Sequence, residues 1–303
     1  HTDPPQAQEA RLEHRATEQS GASAETSLWR HSLRELMRPI LICYRVRFSG
    51  FWILWMAFWD VPPLYYRDWV DTSVMVQHLF GPDGTSNRVW IFLLGMSQDG
   101  QRIQPEGLVN LNAMMIMFFC FIVAGWSALM KATNSMALGT FLAATTLLLL
   151  GGFNYVWIMV LAIVCFSMGE MLSSPKSSEY LGNIAPQQKK AMYLGFSQLP
   201  LGIGWSLEGF FGQYLYGEFG SKDTLSRQSL MDIGLSQPEV DAVPIGEAFQ
   251  KLIEVSGSSA ETLTAQLYAA NNVGVAWYIM GSVGLVAAAG LYVYGLWTYR
   301  LKE

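Results

Sequence analysis

Apolar residues along this chain cluster into long runs separated by polar stretches. Six runs are predicted as membrane-spanning helices, at 48–66, 109–130, 136–152, 155–175, 191–213 and 273–298, each close to the roughly 20 residues that cross a hydrocarbon core. Only Phe153, Asn154 and Tyr155 separate the third run from the fourth, so those two form an antiparallel hairpin. Residues 1–27 are polar, Pro- and Gln-containing and without apolar periodicity, as expected of a disordered cytoplasmic tail or interdomain linker. The following stretch, LWRHSLRELMRP, places Leu28, Trp29, Leu33, Leu36 and Met37 on one helical face and Arg30, Arg34 and Arg38 elsewhere. That pattern fits a basic amphipathic helix on a membrane surface, or an ordinary solvated one. Residues 28–303 then read as one six-helix bundle with two long outward loops, 67–108 and 214–272. The second loop holds two short helices, around 243–256 and 260–270, that are too polar to span.

Composition agrees with the runs. Charged residues make up 14% and apolar residues 51% of the chain, where a soluble domain carries roughly a quarter charged residues. Lys and Arg set the orientation, since they concentrate on the cytoplasmic side of short loops. With the amphipathic segment cytoplasmic, Arg30, Arg34, Arg38, Arg45, Arg47, Lys131, Lys176, Lys189, Lys190, Arg300 and Lys302 fall on that side. Arg67, Arg88, Arg102, Lys222, Arg227 and Lys251 fall on the other, among more than twice as many acids. The expectation is a multi-pass protein of the plasma (inner) membrane with both ends of this chain cytoplasmic. The net charge of −5 then belongs to the outward loops and argues against a nucleic-acid partner. The first residue is His1, and no short apolar stretch follows a basic start, so the chain reads as a segment of a longer protein.

Little in the sequence suggests an enzyme. Cys43, Cys120 and Cys165 lie in or beside apolar runs without CxxC spacing, which suits packing rather than disulfides or zinc. His1, His14, His31 and His78 all fall in polar segments, so no His, Asp and Glu cluster assembles at one depth. No GxxxxGK[ST] loop is present for nucleotide. No metal and no cofactor are expected, and secondary transport is what remains.

Three carboxylates lie in the predicted spans, where such groups cost about 2.5 to 3.5 kcal/mol and face protein or a water-filled cavity. Asp60 precedes Pro62 and Pro63, which remove two backbone donors and break the helix; alternatively the span ends near Trp59 and Asp60 is interfacial. Glu170 lies deep in its span among Ser167, Gly169, Ser173 and Ser174. That small, hydroxyl-rich neighbourhood leaves room for a ligand, though a purely structural salt bridge also suits it. Glu208 lies nearer the outward end of its span, with an interfacial structural role and a functional one equally open. Around it Pro200, Gly202, Gly204, Gly209 and Gly212 permit close packing and bending.

The stretch GEMLSSPKSSEYLGNIAPQQKKAMYLGFSQLPLGIGWSLEGFFG resembles the tenth and eleventh helices of the proton-coupled oligopeptide transporters, a branch of the major facilitator superfamily. The matching residues are Gly169, Glu170, Ser174, Pro175, Ala185, Pro186 and Gly195. Asn112 resembles a family position at the start of the eighth helix, although Ala113 stands where the family has Pro, and NSMALG resembles the start of the ninth. The seventh helix departs most, with Val61 and Pro62 following Asp60.

The resemblance implies an all-α membrane protein whose six transmembrane helices, seven to twelve of the family, form one half of a major facilitator superfamily fold. The N-terminal six-helix half of the same transporter would be its partner. It further implies substrate binding by Glu170, Asn112, Ser173 and Ser174, proton coupling by Asp60 and Glu170, and Glu208 as a further candidate. Function would be alternating-access, proton-coupled symport of di- and tripeptides or peptide-like solutes. A major facilitator transporter of another solute (sugar, drug or organic acid) and a non-transporting membrane protein with a partner-binding outward surface remain the alternatives.

Overall fold

The computed structural model describes residue 30 and residues 32–300. The predicted tail at 1–27, and the first residues of the amphipathic stretch, lie outside the described residues. Fourteen α-helices carry the described chain. Six are long: α1 (Pro39–Asp60), α5 (Pro105–Ala128), α6 (Ala132–Gly152), α7 (Val156–Ile184), α9 (Gln198–Phe219) and α14 (Val275–Arg300). Between them lie α2 (Pro62–Trp69), α3 (Ser73–Phe80), α4 (Arg88–Leu93), α8 (Lys190–Gly195), α10 (Lys222–Asp232), α11 (Gln237–Asp241), α12 (Ala248–Ser256) and α13 (Ala260–Ala270). Met96 and Ile103 form an isolated antiparallel bridge.

Five of the long helices, all but α9, are long and apolar enough to cross a membrane, and the chain is accordingly an all-α, multi-pass membrane protein. The sixth predicted span is a helix of 22 residues, about 33 Å at the standard rise. It is less apolar than the other five, because Glu208, Glu218 and several glycines and polar residues interrupt it. Large apolar side chains stand exposed around the bundle: Phe118, Phe121 and Ile122 on α5, Phe210 and Phe211 on α9, and Val286 and Val293 on α14. Such faces match lipid rather than water.

The boundaries differ from the apolar runs for local reasons. α1 begins nine residues before its run, at Pro39, whose missing N–H costs nothing in the first turn. Arg45 and Arg47 do not stop it, because each guanidinium reaches back along the helix, Arg45 Nε to Leu41 O at 3.2 Å and Arg47 Nη1 to Cys43 O at 2.9 Å. α7 runs 29 residues, through Pro175 and the Lys176–Glu179 ion pair (2.7 Å). At about 44 Å it is longer than a bilayer core is thick.

Packing among the six long helices has an internal symmetry. α1 packs on α9 as α5 packs on α7; α6 packs on α7 as α14 packs on α1; and α6 packs on α14. Exchanging α1, α5 and α6 for α7, α9 and α14 therefore maps these pairings onto themselves. α6 and α7 cross closely, where a Cβ on Gly169 would come within 2.5 Å of Gly139 O.

The two ends are closed differently. At the end where α1 begins, the helical turns at 32–36 expose Leu33 and Met37 and bury Glu35. Glu35 accepts from Lys189 Nζ (2.7 Å), Tyr193 Oη (2.9 Å) and Arg38 Nη2 (3.2 Å). The hydrogen bond from Lys189, against the opposing effect of burial, holds its carboxyl below the usual range. At the other end α10, α12 and α13 form a small cap. There Lys222 Nζ donates to Asp68 O (3.1 Å) and Thr264 Oγ1 (2.7 Å) and lies 3.9 Å from the centre of the Phe249 ring. Burial pushes the Lys222 ammonium down from its ordinary range.

Candidate functional site

Three of the long helices bring polar side chains to one place. Glu170 is the fifteenth residue of α7, at its midpoint, and is half-buried. Ser167, three positions earlier, shares its helical face. Trp55 Nε1 of α1 donates to Glu170 Oε1 at 2.8 Å, and Asn112 Nδ2 of α5 donates to Glu170 Oε2 at 3.1 Å. Asn112 is itself buried and is oriented by Ser167, whose Oγ lies 2.6 Å from Asn112 Oδ1 and 2.8 Å from Ile163 O. One hydroxyl proton thus serves two acceptors, the second being the Ser167 back-bond along its own helix.

Local sequence explains why these groups meet. Gly169 and Gly139 let α6 and α7 approach backbone to backbone, which fixes the rotation of α7 and hence the direction of Glu170. On α1, Trp52, Trp55 and Trp59 recur at helical spacing and pack in series, edge-to-face and then tilted, with ring centroids 5.5 and 5.9 Å apart. Phe58, on another face of α1, stacks on Phe166 of α7 at 3.7 Å. Aromatic packing therefore sets the separation across which Trp55 reaches the carboxylate.

Electrostatically, Glu170 has neutral donors on both oxygens. Among the described residues no Lys or Arg forms an ion pair with it. A carboxylate in a span, held open by neutral donors, suits a cationic or N–H-bearing group, which would supply the missing countercharge.

The other candidates fall elsewhere. Ser173 is fully buried on the α6 side, where its Oγ donates to Met136 O at 3.3 Å, so its hydroxyl is spent on helix packing rather than turned toward Glu170. Ser174 is half-buried one position on. Asp60 is the last residue of α1 and is exposed, immediately before the Pro62 break. Glu208, by contrast, is fully buried against α1. Trp55 was not among the sequence candidates, because tryptophan counts as apolar; its i, i+3 and i+7 spacing with Trp52 and Trp59 was the available signal. No protein-family model matches the chain, and neither a curated protein nor a solved structure matches it.

Proposed function

We propose that this chain is the C-terminal half of a major facilitator transporter that carries di- or tripeptides, or peptide-like solutes, in symport with protons. The observation that carries the proposal is the Glu170 carboxylate at the midpoint of α7, held by Trp55 and Asn112 from two other helices and lacking a cation among the described residues. In the transport cycle Glu170 binds the amino terminus of the solute, while the Asn112 amide and the Trp55 indole pair with its backbone. The symmetric helix pairing supports the same proposal, since major facilitator halves are built from two inverted three-helix repeats with the site between the halves. The N-terminal six-helix half of the full-length protein supplies the remaining wall, and the charge asymmetry supports a plasma (inner) membrane location with both ends of this chain cytoplasmic.

The test is uptake of a dipeptide panel into vesicles holding the full-length protein, with and without an inward proton gradient. Gradient-driven uptake of at least one di- or tripeptide is expected. Glu170→Gln should weaken solute binding about tenfold or more, the usual worth of a hydrogen bond to a charged group, with insertion unchanged. Neither uptake nor proton flux with any member of the panel would sink the proposal.

A further inference from the structure

Away from the Glu170 network, a second pair of carboxyl groups meets where α1 ends. α1 and α9 run in the same direction: Gly204 lies against Trp52, with 2.5 Å between its missing Cβ position and Trp52 Cβ. Farther along, Trp69 Nε1 donates to Gly220 O at 2.8 Å. In that register, two turns beyond Gly204 lie level with Asp60. Glu208 leans along its own helix in that direction, into the space that Gly212 leaves by having no Cβ; a methyl group there would collide with the carboxylate. The Asp60 carboxyl is within hydrogen-bonding reach.

Glu208 is fully buried, and neither of its oxygens has a donor among the described residues. A buried carboxylate without donor or countercharge is costly, and a second ionised carboxylate beside it makes it more so. One proton held between the two removes a charge and supplies the missing donor. No other ionisable group of α1 faces Glu208, and α14, the other long helix packed on α9, carries only tyrosines before Arg300. On α9 itself Glu218 lies nearly three turns away, and Tyr216 turns its hydroxyl to Asp68 (3.4 Å). Lys222, at the start of α10, is engaged by Asp68 O and Thr264.

We propose that Asp60 and Glu208 act as one proton-loading site, with exposed Asp60 meeting water and buried Glu208 holding the proton against α1. The proton comes from water through Asp60, and only O–H bonds are made and broken. It returns to water when α1 and α9 part. A metal cation would require several oxygen ligands around it, and no group of three or more such side chains assembles among the described residues. The role in coupling rests on the transporter proposal above; the shared proton does not.

The experiment takes full-length protein in liposomes through a pH jump across neutrality and records infrared difference spectra. A carboxylic-acid carbonyl band that shifts in heavy water is expected, and it should vanish in both Glu208→Gln and Asp60→Asn while persisting in Glu170→Gln. Proton uptake accompanying solute should fall about tenfold or more in the same two variants, the size of effect given by losing one group whose protonation is coupled. Persistence of the band in Glu208→Gln overturns the site, as does a band that responds to sodium and not to pH. Should Glu208→Gln fail to fold, Asp60→Asn on the exposed member decides alone. A wild-type band in a protein that carries no solute would sink the transporter proposal and leave the proton site standing.

Discussion

Single side chains in this bundle are placed by very few contacts, so small changes should have local effects. Ser167 is the clearest case: its hydroxyl holds Asn112 Oδ1, and so aims the Asn112 amide at Glu170. Ser167→Ala leaves Asn112 Oδ1 without that donor, at a cost of about 1 kcal/mol. It should lower solute affinity about fivefold, the same energy expressed as an equilibrium constant. Equilibrium binding to the purified full-length protein measures this, with Ser167→Thr, which keeps a hydroxyl, expected to restore most of the affinity. Affinity unchanged in Ser167→Ala would mean that Asn112 is aimed by something else. At this scale the sequence was partly legible. Glu170 stood out as a carboxylate in an apolar run and Asn112 through the family resemblance, and the structure brings them together. Ser173 also stood out, but its hydroxyl is consumed by Met136 O, which no one-dimensional pattern reveals. Nor does the meeting of Asp60 with Glu208, since it depends on the register of two helices far apart in the chain.

Helices cross closely where glycines allow it, and the crossing of α6 and α7 aims the site. Gly169→Ala would push a methyl group to within 2.5 Å of Gly139 O and 3.1 Å of Ala143 N. Overpacking of that kind costs about 1–3 kcal/mol. Thermal unfolding in detergent should therefore shift down by several degrees. Gly182→Ala, in the same helix with open space around its Cβ position, should be neutral or slightly stabilising, because alanine is the better helix former. Equal shifts for the two variants would refute the crossing argument. Glu35 offers a pH-dependent test at the other end of the bundle. Its carboxyl is held below the usual range chiefly by Lys189, so the attachment of the 32–38 segment is present in full above the ordinary glutamate range. It fades as pH falls through that range toward the lower folded value. Hydrogen exchange in this segment should accelerate on acidification, and Glu35→Gln should reproduce the acceleration at neutral pH; protection independent of both would dismiss the attachment. Helix ends were the least legible feature, for a physical reason. An apolar run reports contact with lipid, whereas a helix continues wherever its backbone hydrogen bonds are satisfied. Thus α1 extends through Arg45 and Arg47, and α7 extends past Pro175. α9 starts seven residues after its run because the turn that follows Pro186 and the short helix α8 intervene.

Across the whole molecule, the distribution of charge and the helix pairing make one joint prediction about topology. Five helices are apolar enough to span. If only those five crossed, the ends of the chain would lie on opposite sides of the membrane, and the cap built from α10, α12 and α13 would share a side with the α7–α8 turn. If α9 crosses as well, the cap and that turn are separated, and both ends share a side. The symmetry of the packing favours six crossings, because α9 occupies against α1 the place that α5 occupies against α7. Sharing a proton removes much of the cost of carrying Glu208 into the membrane on α9. In full-length protein with Cys43, Cys120 and Cys165 replaced by alanine, Glu261→Cys in α13 should react with a membrane-impermeant maleimide in intact cells. Gln188→Cys, exposed in the turn before α8, should react only after the cells are opened. Labelling of both positions from the same side would remove α9 from the membrane, and with it the inverted-repeat basis for placing Glu170 at the midplane.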